Sequence, residues 1–144
     1  MKTFMTAWQF WAVLSALFAA LTAIFAKIGV ANINPDVATF VRTIVIALVL
    51  ATLLWTTGQL QGPQHFSSRS LLFLVFSGLA TGASWVCYFR ALSLGNASRV
   101  APIDKLSVVL VAVFGTVFLG EHVAAANWVG IALIAVGALL VGLR

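Results

Sequence analysis

Three ionisable residues of this 144-residue chain lie inside long apolar runs: Arg42, Asp104 and Lys105. A charge at mid-membrane costs about 2.5–3.5 kcal/mol, so one that persists there has a partner or a task. Arg42 lies six residues past Asp36, and Asp104 six past Ser98. At 1.5 Å per residue each sits roughly 9 Å inside its own helix start. Matched depth from one side of the membrane predicts an Arg42–Asp104 pair. Asp104 and Lys105, neighbours about 100° apart on a helix, are badly placed to satisfy each other. Pro102 just before them frees a backbone carbonyl, as the broken helices of transporters do. Arg42 and Lys105 also have a simpler reading, since long stems snorkel to the interface; the short stem of Asp104 does not. The positive excess of the group suits a substrate with an anionic group.

A second pattern follows in the run from Ser70 to Phe89. Ser77, Thr81, Ser84 and Tyr88 repeat at i, i+4, i+7 and i+11, which puts four hydroxyls on one helical stripe. Facing lipid, such a stripe leaves hydrogen-bonding groups unused, so it points to the bundle interior or a wet path. The alternative is that each hydroxyl bonds back to a carbonyl of its own helix. Trp85 and Phe89 share the face of Gly78 and Gly82 and flank the stripe. Elsewhere the chemistry is sparse. His65 and His122 lie in loops without metal-ligand spacing, and no nucleophile–base pair, phosphate loop or dinucleotide fingerprint is present. Glu121 follows Gly120 at a helix end on the membrane side opposite Asp104, an ordinary place for an acid. No catalytic residue, cofactor or metal is expected, and the chain reads as a non-enzyme.

The elements that carry these residues follow from composition. The chain is 62% apolar and 8% charged, against roughly 25% charged in a soluble domain. Its cations are scattered singly, which excludes a phosphate-binding groove and a nucleic-acid partner. A lone Cys87 excludes an internal disulfide. About 20 apolar residues in helix cross a bilayer, and five stretches qualify, at about 8–27, 37–56, 70–90, 99–119 and 126–143. The expected fold is therefore all-α and polytopic, one domain over 1–144 with the lipid bilayer as its main partner. Asn34-Pro35-Asp36 is a helix-start signal, and 58–68, with Gly62-Pro63, is the one polar loop. The first run is longer than a signal-peptide core and lacks a clear cleavage site, so it reads as a retained helix. Gly78, Gly82, Gly130 and Gly137, with the Ala12/Ala16/Ala20 ridge, are expected to pack helices closely. Trp8, Trp11, Trp55 and Trp128 suit interface anchors. Lys27, Arg90, Arg99 and Arg144 outnumber Lys2 and Arg69, which favours an outside N-terminus and an inside C-terminus.

The segment Ser84-Trp85-Val86-Cys87-Tyr88-Phe89-Arg90-Ala91-Leu92, followed by Ser98-Arg99-Val100-Ala101-Pro102-Ile103-Asp104-Lys105-Leu106-Ser107, resembles the EamA family of the drug/metabolite transporter superfamily. Phe118-Leu119-Gly120-Glu121 with Trp128-Val129-Gly130, and Lys27-Ile28-Gly29 with Pro35 and Arg42-Thr43, are similar to the same family. The resemblance implies a transporter of small metabolites. Its usual members carry two five-helix modules related by an inverted two-fold, with the substrate path between them. One module here implies a homodimer in the bacterial or archaeal inner membrane, working by alternating access, with an antiparallel arrangement matching the inverted repeat. The alternatives are a non-transporting assembly partner or a subunit of a flippase for lipid-linked substrates.

Overall fold

The computed structural model describes residues 8–59 and 67–142, and every regular element among them is helical. We number these α1 (Trp8–Gly29), α2 (Pro35–Thr56), α3 (Ser68–Leu94), α4 (Ala97–Asp104), α5 (Ser107–Phe118) and α6 (Ala125–Gly142). Taken with α4 and α5 as one segment, they give five spans long and apolar enough to cross a membrane. The chain is thus all-α and multi-pass. Helix is the form such runs take, because lipid offers no partner for backbone N–H and C=O groups. The polar loop expected at 58–68, His65 included, lies mostly outside the described residues, as do Lys2 and Arg144.

The helix ends carry local causes. Asn34 caps α2: its side-chain oxygen accepts from the N–H groups of Asp36 at 2.8 Å and Val37 at 3.4 Å. Pro35 needs no partner for a missing N–H at the first position. At the other end Gly58 takes φ +67°. Its N–H donates to Trp55 O at 3.1 Å, and the Gln59 N–H donates to Leu54 O at 3.1 Å. That is the Schellman closure, which needs a left-handed residue. Gly120, at φ +68°, is the left-handed residue after α5, where the Gly115 carbonyl accepts from the N–H groups of Leu119 and Glu121.

The fourth span, expected as one segment at 99–119 with Pro102 disturbing it, is two helices. It breaks after Asp104, where the bonds shorten to i→i+3: Lys105 N–H to Pro102 O at 3.1 Å, Leu106 N–H to Ile103 O at 3.0 Å, Val108 N–H to Lys105 O at 3.0 Å. Pro102 lies within α4 and cannot donate an N–H into the helix ladder. The third span is longer than the 70–90 expected.

By its contacts the chain divides into two units, Met1–Lys27 with Leu94–Arg144, and Ile28–Ser93. In the first, α4 and α5 both pack on α6, and the Ile103 side chain lies against Gly142. Lys27 Nζ donates to Gly95 O at 2.8 Å. Glu121 folds back over α5, so that a Cβ on buried Gly115 would meet its Oε2 at 2.7 Å. In the second unit Thr39, Phe89 and Leu92 are buried, whereas every residue of α3 from 68 to 84 is exposed. The glycines expected to pack helices stand open among the described residues. A Cβ on Gly78, Gly82, Gly130 or Gly137 would meet nothing within 4 Å.

These glycines should therefore separate by substitution. Gly120→Ala should lower stability by about 1–2 kcal/mol, the cost of a left-handed L-residue. Gly78→Ala should cost nothing in the dissociated chain. Unfolding of the purified protein in detergent distinguishes the two.

Candidate functional site

Within Ile28–Ser93, α2 and α3 run antiparallel and meet through two arginines. Near the end where α2 begins, Arg90 grips Asp36 with both edges of its fork: Nε donates to Oδ1 at 3.1 Å and Nη2 to Oδ2 at 2.7 Å. Both side chains remain about half exposed, at 60% for Arg90 and 48% for Asp36. Arg42 lies a turn and a half further along α2. Its guanidinium carbon sits 4.2 Å from the Trp85 ring centroid and 5.4 Å from that of Phe89. Trp85 and Phe89 are i and i+4 on α3, hence on one face. A cation over such rings gains about 0.5–2 kcal/mol, more as water is excluded. Phe89 is almost fully enclosed, at 2% exposure, and Trp85 and Tyr88 are half-buried beside it.

The charge on Arg42 has no carboxylate within its unit. Asp36 is the only acid between residues 28 and 93, and both of its oxygens are engaged by Arg90. Asp104, the partner expected from depth, belongs to the other unit, where its carboxylate pairs with Lys105 Nζ at 3.2 Å. This corrects the expectation that the two neighbours cannot satisfy each other. The 100° rule assumes a continuous helix, and the helix ends between them: Lys105 is the cap residue of α4.

Along the hydroxyl stripe, Thr81 Oγ1 donates to Ser77 O at 2.8 Å. For this residue the own-helix alternative holds, as it does for Thr39, Thr43 and Thr52, which donate four residues back. Ser77 and Ser84 lie on the exposed part of α3, and Tyr88 is half-buried. No group of three or more His, Cys, Asp or Glu among the described residues could hold a metal.

Sequence reasoning missed the Asp36–Arg90 fork, because it took Asp36 as a helix-start signal and Arg90 as a topogenic charge. Equal distance from the same membrane side, the argument applied to Arg42 and Asp104, would also have matched these two. The Trp85–Phe89 seat of Arg42 is likewise absent from the sequence reading, which sets both rings beside the hydroxyl stripe. Asp36→Asn and Arg90→Gln should each lower the unfolding temperature in detergent. The exchange Asp36→Arg with Arg90→Asp should recover part of the loss, whereas additive losses in the exchanged protein would deny the pairing.

Comparison with known proteins agrees with this architecture. The model of the EamA-like transporter family matches residues 6–143. A relative from a Sinorhizobium species, described as an uncharacterized transporter in the cobO 3' region, is 63% identical over 133 residues. The match covers 92% of this chain and 94% of that protein. No solved structure matches the chain. Membrane transport, not catalysis, is what such kinship points to, and five apolar spans with charges set among them fit it. The chain belongs to the EamA-like transporter family.

Proposed function

We propose that residues 1–144 form one module of a small-metabolite transporter that acts as a homodimer in the inner membrane by alternating access. Its path is lined by Arg42, Ser77, Thr81, Ser84, Trp85, Tyr88, Asp104 and Lys105. The observation that carries this reading is the bare half of α3. From 68 to 84 no residue is buried, although the stretch holds Ser77, Thr81 and Ser84 and the open glycines Gly78 and Gly82. Helices in a bilayer associate through small residues that allow close backbone approach, and through hydroxyls that find partners across the contact. A face with both, exposed along its length, suits a second copy. The antiparallel arrangement is the one the family resemblance implies. Alternating access also needs an element that bends, and the i→i+3 stretch at 104–106 is of the kind that marks hinges inside helices.

The substrate is sought by metabolite profiling of cells lacking or overproducing the protein. In a Cys87→Ser background, Gly78→Cys should crosslink to a covalent dimer at native expression. Gly82→Leu should abolish both that dimer and flux while leaving the chain folded. Monomer alone in the first experiment, or full flux from Gly82→Leu, would reject the dimer. Cysteines at Ser77, Ser84 and Tyr88 should react with a water-soluble thiol reagent faster than cysteines at Leu72 and Leu79. Equal labelling would remove the wet path along α3.

A further inference from the structure

We infer that Arg42, seated on Trp85 and Phe89, is the anion-binding subsite of the transport path, and that it takes the oxyanion group of a small soluble metabolite, ring-bearing carboxylates best. This rests on the transporter reading and gives it a substrate class. The argument begins with charge. Within residues 28–93 the only carboxylate, Asp36, is held through both oxygens by Arg90, so that unit leaves none for Arg42. Asp104 carries its own cation, Lys105, at 3.2 Å.

Geometry narrows the ligand. A guanidinium lying over aromatic rings keeps its N–H donors at its rim, and a planar oxyanion can take two of them at once. The Arg42 rim donates to no described residue in the chain. The position is also held rather than swinging. The guanidinium carbon stands 4.2 Å from the Trp85 ring centroid and 5.4 Å from that of Phe89, two rings one helical turn apart. A lysine would offer the same charge with neither the fork nor the stacking plane. The half-buried rings of Trp85 and Tyr88 beside the cation supply an aromatic wall, which favours a ligand whose anionic group is attached to a ring.

The chemistry of an oxyanion is shared by a soluble metabolite and a phospholipid headgroup, and the experiment separates them. Purified protein in phosphatidylcholine nanodiscs is titrated with 4-nitrobenzoate, which quenches tryptophan on contact, and with neutral 4-nitrobenzyl alcohol as control. The anion should quench saturably, the alcohol only in proportion to its concentration. The saturable part should shrink in W85F, which identifies Trp85 as the reporter. R42Q should weaken it about tenfold or more, as expected for loss of a charge-assisted pair. R42K should fall between, and carries the test if R42Q does not fold. Saturable quenching of equal strength in wild type, R42K and R42Q would overturn the inference, as would absence of saturation in the wild type. Phosphatidylglycerol in the nanodisc should leave the 4-nitrobenzoate response in place. Its complete loss there would assign the site to a lipid headgroup and overturn the soluble ligand. The two readings fail separately: flux and dimer without Arg42-dependent quenching reject only the subsite, and quenching without dimer or flux rejects only the transporter reading.

Discussion

A guanidinium placed a few turns inside an apolar helix must exchange its water for something, and the way Arg42 does so organises the α2–α3 pair. Two ring faces replace solvent over the charge without neutralising it. A carboxylate in the same place would have given a closed ion pair whose desolvation offsets much of its attraction, and a site with no charge to offer. Because Trp85 and Phe89 lie one helical turn apart, the cation sets the register of α2 against α3. The Asp36–Arg90 fork then repeats that register nearer the helix end, where both side chains stay half exposed. One arginine is neutralised at the rim and another is left charged further in.

The same arrangement explains what could and could not be read from the sequence. The five spans were legible because length and apolarity decide them, and Asn34-Pro35 marked the start of α2 through its capping chemistry. The break in the fourth span was only half legible. Pro102 signalled a lost hydrogen bond, but where the ladder lets go depends on how the i→i+3 bonds distribute between Asp104 and Val108. The pairings were least legible. Depth along a helix is set by sequence, while azimuth about the membrane normal is set by packing, so several cations matched each acid in depth. Asp104 took the nearest cation once the helix had ended beside it. Asp36 took Arg90, from 54 residues away in sequence.

The partners of the small residues are illegible for a related reason. A glycine pair such as Gly78 and Gly82 announces a close contact, not its partner, and periodicity carries no information about which chain supplies the facing helix. An added Cβ would meet a side chain at Gly115, under Glu121, and at Gly142, against Ile103. Neither belongs to a spaced motif. Gly115 accommodates the returning turn at the end of its own helix, a purely local demand. The spaced glycines and the hydroxyls near them are left bare together on α3. Their coincidence is more informative than either would be alone, since lipid contact rewards neither.

The fourth span connects these features to movement. α5 is a short rod, Ser107–Phe118, with a distinct closure at each end. At its start the backbone passes through i→i+3 turns, which hold fewer constraints than an α-helical ladder. At its finish the Gly115 carbonyl accepts from both Leu119 N–H and Glu121 N–H, each at 3.1 Å, and Gly120 supplies the left-handed residue. The far end is thus tied to the rod itself, and the near end is held by i→i+3 bonds between Pro102 and Val108. A tilt of α5 about residues 104–106 would leave its internal hydrogen bonds intact while altering the exposure of Asp104 and Lys105, which sit on the pivot. An ion pair at such a place resists bending less than an apolar contact of the same size would, because its attraction falls off gradually with distance.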